Sequence, residues 1–505
     1  MPNNGNPTVS TKVIVTNHGA LKSLYGQSNL DLIESALATL IGADQRRQIQ
    51  TQVINLDEKS QMDPLNAPVV TNATDDKQNK NAIDGVYNAL KPDYLAILGA
   101  LDIVPMQTLD NPIGNDGDTT VPSDLPYACA HGYSKTVSDF KNPSRVVGRI
   151  PGVTGNNDVN PLIDAINVSA SLQERPKSAY STYLGISAQV WQGSTQQSLD
   201  NIFGNHTALH LSPPDGPNWT DNQLAELAHF VNCHGSGNDP QWYGQQGGSY
   251  PVAVQASQIS GKLQAGTIAT AECCYGGQLY NPGGICNVYS RTAAAFCGSS
   301  NIAYGPASGQ GEADLMTQYF LINLLALQSA GAAMLGARQR YVAGHSTMSP
   351  YDLKTLAQFN LLGDPSSIPV KADPAPAALA GLDDAEAKVM ARKERRQRFA
   401  ATAAAVADSV GHAVYDETVT ASEPVAGRLN ALLEANGLTA ESWAGYRIEG
   451  GAVYAKSLEA AGGPEKFIAV TASAAEGDAP FEDFAALVAT EQGGVLTGAR
   501  LLYRR

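Results

Sequence analysis

The chain is poor in the features on which several classes of protein depend. Its 505 residues include 33 Lys or Arg against 48 Asp or Glu, so the net charge is −15 and a surplus of basic side chains to neutralise nucleic-acid phosphates is missing. No apolar run approaches the roughly 18 residues that a membrane span needs. The N-terminus lacks the charged segment followed by an apolar segment that a secretory signal has. We therefore expect a soluble, cytoplasmic, globular protein that neither binds nucleic acid nor spans a membrane.

Cysteine is also sparse. Six cysteines are too few for a disulfide framework in a chain of 505 residues, and none of them form the CxxC pairs that zinc sites use. The histidines other than His234 show no ligand spacing either, so we predict no metal and no cofactor. We expect reduced thiols, one of them with a chemical role: Cys129, Cys233, Cys273, Cys274, Cys286 and Cys297.

Short runs rich in Val, Ile and Leu recur along the first 370 residues, and most are followed by a stretch with helical spacing. Such alternation is typical of a parallel sheet covered on both faces. We predict an α/β, doubly wound, mostly parallel sheet over residues 1–370. The predicted strands are 12–16, 52–56, 94–99, 181–190, 227–233, 267–273 and 301–304. The predicted helices are 30–41, 82–90, 160–172, 252–263, 288–296 and 313–327.

A Pro- and Ala-rich stretch at 371–382 interrupts this pattern and is typical of a linker. Beyond it the composition shifts to Ala and Glu. Two helices at 383–410 and 424–436, then strands at 445–457, 466–473 and 494–503, predict a small α+β domain over 383–505. We expect this domain to bind a regulatory partner or to restrain the first domain. The basic run 392–398 is most simply a solvated helix face, with a self-cleavage site as the alternative.

Two predicted strands end in residues that can carry covalent chemistry. One run ends at His234-Gly235 and the next at Cys274, 40 residues later, with a helix-like stretch between them. In a right-handed βαβ unit both strands point the same way, so the imidazole and the thiol reach the same edge of the sheet. Acyl transfer needs a thiolate, a proton donor and NH groups for the oxyanion. Cys274 and His234 supply the first two, and the NH groups of Gly235 and Cys274 are the predicted oxyanion hole.

These residues resemble the catalytic core of caspase-like (clan CD) cysteine peptidases, most of all the gingipain family. The resemblance rests on His234-Gly235-Ser236 followed by Trp242, on the strand that ends at the cysteine, and on three flanking segments, YLAILGALDIVP at 94–105, VVGRIPG at 146–152 and NLLGDPS at 360–366. It implies a caspase-like fold and a cysteine endopeptidase that acts on protein substrates without a cofactor. Two adjacent thiols leave the nucleophile open between Cys274, which we favour, and Cys273.

The resemblance also suggests a substrate pocket. Acidic residues just before the nucleophile and about forty residues after it match Glu272 and Asp314, with Glu312 as the alternative to Asp314. Carboxylates in a partly dry pocket favour Arg or Lys through charge-assisted hydrogen bonds. Trp242 is expected to pack a loop over the site, or else to lie in the core. Asp364 is expected to hold a turn before Pro365. The competing hypothesis is a catalytically silent caspase-like protein-interaction module.

Overall fold

The computed structural model describes residues 9–237, 239–374, 399, 401–403, 409–450, 454, 465–474 and 480–505. Most of the predicted linker and of the helix predicted over 383–410 lies outside these residues, as does the basic run 392–398. Among the described residues, no helix combines the length and the apolar character that crossing a bilayer requires.

A ten-stranded sheet forms the centre of the larger part of the chain. In spatial order its strands are Ile49–Asn55, Ser10–Thr16, Tyr94–Leu98, Val147–Ile150, Phe359–Leu362, Ala295–Ser299, Ile268–Ala271, Ala228–Asn232, Leu184–Ala188 and Leu209–Ser212. The first five are parallel to one another and so are the last five. The two halves meet antiparallel where Ala295–Ser299 pairs with Phe359–Leu362. The predicted α/β fold with a mostly parallel sheet is confirmed.

Helices cover this sheet because its central strands are rich in apolar residues and are buried on both faces. The described helices are His18–Tyr25, Gln27–Arg46, Lys59–Met62, Asp76–Leu90, Asn160–Ser171, Gln192–Phe203, Asp221–Leu224, Ala256–Ile259, Ile285–Ser290, Glu312–Leu325, Ala330–Ala343, Pro350–Gln358 and Glu423–Ala435. Three small sheets complete this part. They pair His234–Gly235, Gln241–Tyr243 and Val252–Gln255, then Gln107–Asp110 with Thr120–Ser123, and Arg175–Pro176 with Val370–Lys371.

Four predicted elements differ from the structure, one of them the strand expected at 445–457, which is the strand Leu438–Glu449. The helix expected at 252–263 begins as the strand Val252–Gln255 and contains only the short helix Ala256–Ile259. The helix expected at 288–296 ends at Ser290, and Ala295–Ser299 is a central strand. The strand expected at 301–304 reduces to Tyr304–Gly305. Short apolar runs fit either periodicity, so the neighbouring strands decide the outcome.

The three segments that carry the family resemblance contain neighbouring parallel strands, Tyr94–Leu98, Val147–Ile150 and Phe359–Leu362. Arg149 is fully buried and donates to both carboxylate oxygens of Asp124, at 2.8 and 2.5 Å, and to the carbonyl oxygens of Gly99 and Val104. Asp364 accepts from the NH of Ser366 at 2.8 Å and pairs with buried Lys12 at 2.7 Å. These residues hold loops against the sheet, and Asp364 holds the turn before Pro365 as predicted.

The C-terminal part forms a sheet that is continuous with the larger part. Its own strands are Gly411–Tyr415, Leu438–Glu449, Glu465–Ala474, Phe484–Gln492 and Val495–Arg504. The last of these, here named the terminal strand, pairs antiparallel with Tyr304–Gly305, here named the edge strand. At the opposite side, Gly411–Tyr415 pairs with Thr347–Met348. The helix Glu423–Ala435 packs on the sheet through Val425, Leu429 and Leu433.

We expect Arg149→Ala to lower the free energy of unfolding by about 3–5 kcal/mol, because it leaves the buried Asp124 carboxylate without its cation. The matched control is Arg291→Ala. Its arginine is 45% exposed and pairs with Asp164, which is 39% exposed. Breaking such a surface pair costs up to about 1 kcal/mol. Urea unfolding followed by circular dichroism measures both, and equal losses in the two variants would contradict this role of Arg149.

Candidate active site

The strands that precede the predicted histidine and cysteine are neighbours. Ala228–Asn232, the histidine strand, pairs in parallel with Ile268–Ala271, the cysteine strand. The chain continues from each strand into a loop at the same edge of the sheet. The backbones of Gly235 and Cys274 touch there, since a Cβ on Gly235 would overlap the carbonyl oxygen of Cys274. Glycine at 235 is therefore needed for this close approach.

Two NH groups at this point converge on one oxygen atom. The NH of Cys274 donates to the main-chain oxygen of Arg505 at 3.1 Å, and the NH of Gly235 reaches the same oxygen at 3.4 Å. These are the two donors that the sequence predicts as an oxyanion hole. Paired NH groups with this spacing can stabilise the negative charge that develops on a carbonyl oxygen under nucleophilic attack.

The Cys274 thiol lies beside this oxygen site. It is fully buried, accepts from the NH of Ala303 at 3.2 Å and lies 3.5 Å from the carbonyl oxygen of Ala303. Burial raises the pKa of the thiol, while the positive charge of the adjacent Arg504 acts in the opposite direction. Burial therefore keeps the Cys274 thiol protonated and covered in this arrangement.

Cys273 points to a different environment. It packs in the hydrophobic core with Cys233, Ala271 and Ile285. Burial raises the pKa of its thiol well above the usual value. The nearby ionisable groups Cys233, Cys274 and Glu272 raise this pKa further through their negative charge. Side chains of neighbouring residues on an extended chain face opposite ways. Of the two thiols, the structure thus puts Cys274 at the oxygen site and Cys273 in the core.

His234 begins the two-residue strand His234–Gly235 and is almost fully buried. Its ring is enclosed by Trp191 at 4.3 Å, Phe481 at 4.7 Å and Tyr250 at 5.4 Å between ring centroids. Burial lowers the pKa of His234 to about 3; the charges of Arg504 and Arg505 lower it further, against the hydrogen bond that the ring donates to Gln245, which raises it. The imidazole is therefore neutral.

Gln245 determines which ring nitrogen carries the proton. Its amide nitrogen donates to the carbonyl oxygen of Gly247 at 3.1 Å and to the hydroxyl of Tyr250 at 3.0 Å. Its amide oxygen therefore faces Nε2 of His234 at 2.8 Å and accepts from it. Nδ1 has no hydrogen-bond partner among the described residues. The lone pair on Nδ1 is left for proton transfer.

A buried pocket beside the thiol contains both predicted acidic residues. Asp314 accepts from Nη2 of Arg505 at 3.1 Å and from the NH of Gly311 at 3.3 Å. Glu272 accepts from the hydroxyl of Thr317 at 2.9 Å. Burial raises the pKa of Glu272 well above its usual value, and Asp314 raises it further. Glu272 is therefore the neutral member of the pair, and Asp314, whose pKa Arg505 lowers against the effect of burial, carries the negative charge.

The rest of the pocket fits the planar guanidinium of Arg505. Nη2 also donates to the carbonyl oxygen of Pro306 at 2.7 Å and lies 3.5 Å from the hydroxyl of Ser194. The guanidinium carbon lies 4.3 Å from the centre of the Trp191 ring, a cation–π distance. A Cβ on Gly305 would overlap this guanidinium, so a side chain at 305 would narrow the pocket.

Two predicted pocket residues lie elsewhere. Trp242 packs in the core with Val254 and Ile259, and Trp191 takes the position at the pocket wall. Glu312, the alternative to Asp314, forms an ion pair with Arg500 at 2.8 Å on the terminal strand. Trp191, Ser194 and Gln245 were not singled out from the sequence. They lie in segments with no motif, and only the folded arrangement brings them to the site.

Comparison with known proteins supports one assignment. The model of Peptidase family C25 matches residues 8–368 of the chain. No curated protein and no solved structure matches the chain. The matched range contains His234, Gly235, Glu272, Cys274 and Asp314 and ends before the C-terminal sheet.

We expect the NMR pKa of His234 to be about 3 in the intact protein, because burial and two neighbouring guanidinium groups disfavour the imidazolium. In Arg505→Ala one of these charges is absent and solvent reaches the ring, so the pKa should rise towards its ordinary value near 6.5. A His234→Gln variant assigns the resonance. A pKa near 6.5 in the intact protein would contradict the enclosed position of this ring.

Proposed function

Because the chain belongs to peptidase family C25, the gingipain family of clan CD cysteine-type endopeptidases, we propose that it hydrolyses polypeptides after arginine with Cys274 and His234 as its catalytic pair. The observation that carries the proposal is Arg505. Its side chain fills the acidic pocket while its main-chain oxygen accepts from the NH groups of Cys274 and Gly235. A substrate arginine in the same position would hold its carbonyl group beside the thiol.

Substrate binding would extend the edge strand. The NH of Arg505 donates to the carbonyl oxygen of Ala303 at 3.0 Å, and the preceding residues pair with Tyr304 and Gly305. Main-chain hydrogen bonds of this kind give affinity with little regard to side chains. We infer that a polypeptide binds along this strand and that the pocket selects the residue before the cleaved bond.

Arginine fits this pocket better than lysine. The guanidinium is planar, so it lies against the Trp191 ring while donating towards Asp314 and the carbonyl oxygen of Pro306. A lysine ammonium is a point charge that keeps its attraction to Asp314 and loses the stacked geometry. The single negative charge of the Glu272–Asp314 pair matches one substrate cation.

The reaction follows from these positions. Cys274, uncovered and deprotonated by Nδ1 of His234, attacks the carbonyl carbon, and the NH groups of Cys274 and Gly235 hold the oxygen that becomes negative. The C–N bond breaks as His234 returns the proton to the departing amine, which leaves a thioester on Cys274. Water then hydrolyses the thioester, releasing the arginine carboxylate and restoring the thiol.

A C-terminal extension tests the nucleophile and the position of the cleaved bond together. We expect a chain carrying ten added residues after Arg505 to be trimmed back to Arg505, because Arg505 already lies in the pocket. Intact mass spectrometry follows the trimming over time. Cys274→Ala should abolish it and Cys273→Ala, the matched control, should retain it. Trimming that survives Cys274→Ala and is lost in Cys273→Ala would identify the other thiol.

The acidic pair is tested with the same extended chain. Asp314→Asn should slow trimming about 10- to 100-fold, since a hydrogen bond to a charged group contributes about 1.5–3 kcal/mol. Glu272→Gln should retain most of the rate, because Glu272 is the neutral member of the pair. Equal effects of the two substitutions would show that the charge on Asp314 does not select the arginine.

A further inference from the structure

The residues that fill the cleft belong to the chain itself. The terminal strand Val495–Arg504 pairs with the edge strand through Arg504 opposite Tyr304 and Tyr503 opposite Gly305. Its other side pairs with Phe484–Gln492 along its length. The strand thus lies where a substrate would lie, and it continues directly into Arg505.

Arg504, the residue before Arg505, contributes to covering the Cys274 thiol. Its guanidinium donates to the carbonyl oxygen of Glu482 and lies 5.4 and 5.5 Å from the ring centres of Phe481 and Phe484. Its positive charge lowers the pKa of the nearby Cys274 thiol, and the thiol in turn raises the pKa of Arg504. The thiol has no exposed surface in this arrangement.

A second C-terminal segment closes over His234. Phe481 lies against the imidazole, and the hydroxyl of Tyr250 donates to Asp483 at 2.5 Å. Tyr250 also accepts from Gln245, the partner of His234. Both members of the catalytic pair are therefore covered by residues that lie beyond the matched family range.

The terminal strand is also anchored at a second place, which lies outside the pocket. Arg500 pairs with Glu312 at 2.8 Å and with Asp352 at 3.1 Å, both buried carboxylates. Arg500 and His345 lower the pKa of Asp352 despite its burial, so this carboxylate stays ionised and paired. These ion pairs join the strand to two helices of the peptidase part, Glu312–Leu325 and Pro350–Gln358.

We propose that the C-terminal sheet is a built-in inhibitor, with the terminal strand as a substrate-like occupant of the cleft and Arg505 as its anchor. This proposal rests on the proposed peptidase function and adds its regulation. A tethered segment has an effective concentration on the order of 1 mM. If the segment binds with a Kd of about 10–100 μM, then about 1–10% of the sites are free at any time.

The test compares the full chain with Arg505→Ala on a short fluorogenic peptide that ends in arginine. We expect kcat/KM to rise about 10- to 100-fold, as the fraction of free sites rises. Arg505→Lys, which keeps the charge, should rise less. Arg428→Ala removes an exposed arginine from the helix Glu423–Ala435 and should leave activity unchanged. Circular dichroism and thermal melting show whether each variant is folded.

A synthetic peptide that supplies the arginine as a separate molecule gives an independent measurement. The synthetic peptide Leu-Leu-Tyr-Arg-Arg, equivalent to residues 501–505, should inhibit Arg505→Ala competitively. Leu-Leu-Tyr-Arg-Ala should inhibit at least about 10-fold less, since it lacks the charged hydrogen bond to Asp314. Equal inhibition by the two peptides would overturn the role of Arg505 as the anchor.

Alkylation of Cys274 by iodoacetamide, located by mass spectrometry, reports access to the site without turnover. It should be slow in the full chain and faster in Arg505→Ala. Equal activity and equal alkylation in the two proteins would overturn the inhibitor and leave the peptidase standing. Faster alkylation in Arg505→Ala, with no hydrolysis by any variant and no trimming of the extended chain, would support the docked strand and overturn the peptidase.

Discussion

A buried ion pair between Arg505 and Asp314 organises the region around the thiol. Removing a guanidinium and a carboxylate from water is costly unless each charge is met by its partner and by further hydrogen bonds. The carbonyl oxygen of Pro306 and the Trp191 ring meet part of this requirement at the guanidinium, whose Nε and Nη1 have no hydrogen-bond partner among the described residues. Arg505 follows the terminal strand and Asp314 lies on the helix Glu312–Leu325. Their ion pair therefore fixes this helix relative to the terminal strand and the edge strand that pairs with it.

Much of this site was predictable from local patterns. Two apolar runs ending in His234 and Cys274 predict parallel neighbours, and the structure pairs their strands residue by residue. Gly235 was predicted as an oxyanion donor, and its NH faces the same oxygen as the NH of Cys274. The spacing of Glu272 and Asp314 followed from the family resemblance, and both lie in one pocket. Local patterns thus locate the residues that lie at strand ends, and the roles of these residues stay predictions.

The remaining features depend on contacts between distant segments. Trp191 rather than Trp242 lines the pocket because Gly235 pairs with Trp242 in a small sheet that turns the Trp242 ring into the core. Gln245 faces His234 only through the loop that Gly247 and Tyr250 close. The edge strand has two residues, too few for any periodicity, and its partner lies about 200 residues away in the chain. No local pattern indicates such a pairing.

The antiparallel pairing of the edge strand with the terminal strand has a consequence for how such a molecule responds to its surroundings. An inhibitor carried on a separate molecule is lost on dilution, whereas one joined covalently to its target is not. Each copy of this chain would be silenced as it folds, at any abundance, with no stoichiometric partner. Release would then require a local event on the same molecule, such as a competing ligand for the last strand or its proteolytic removal.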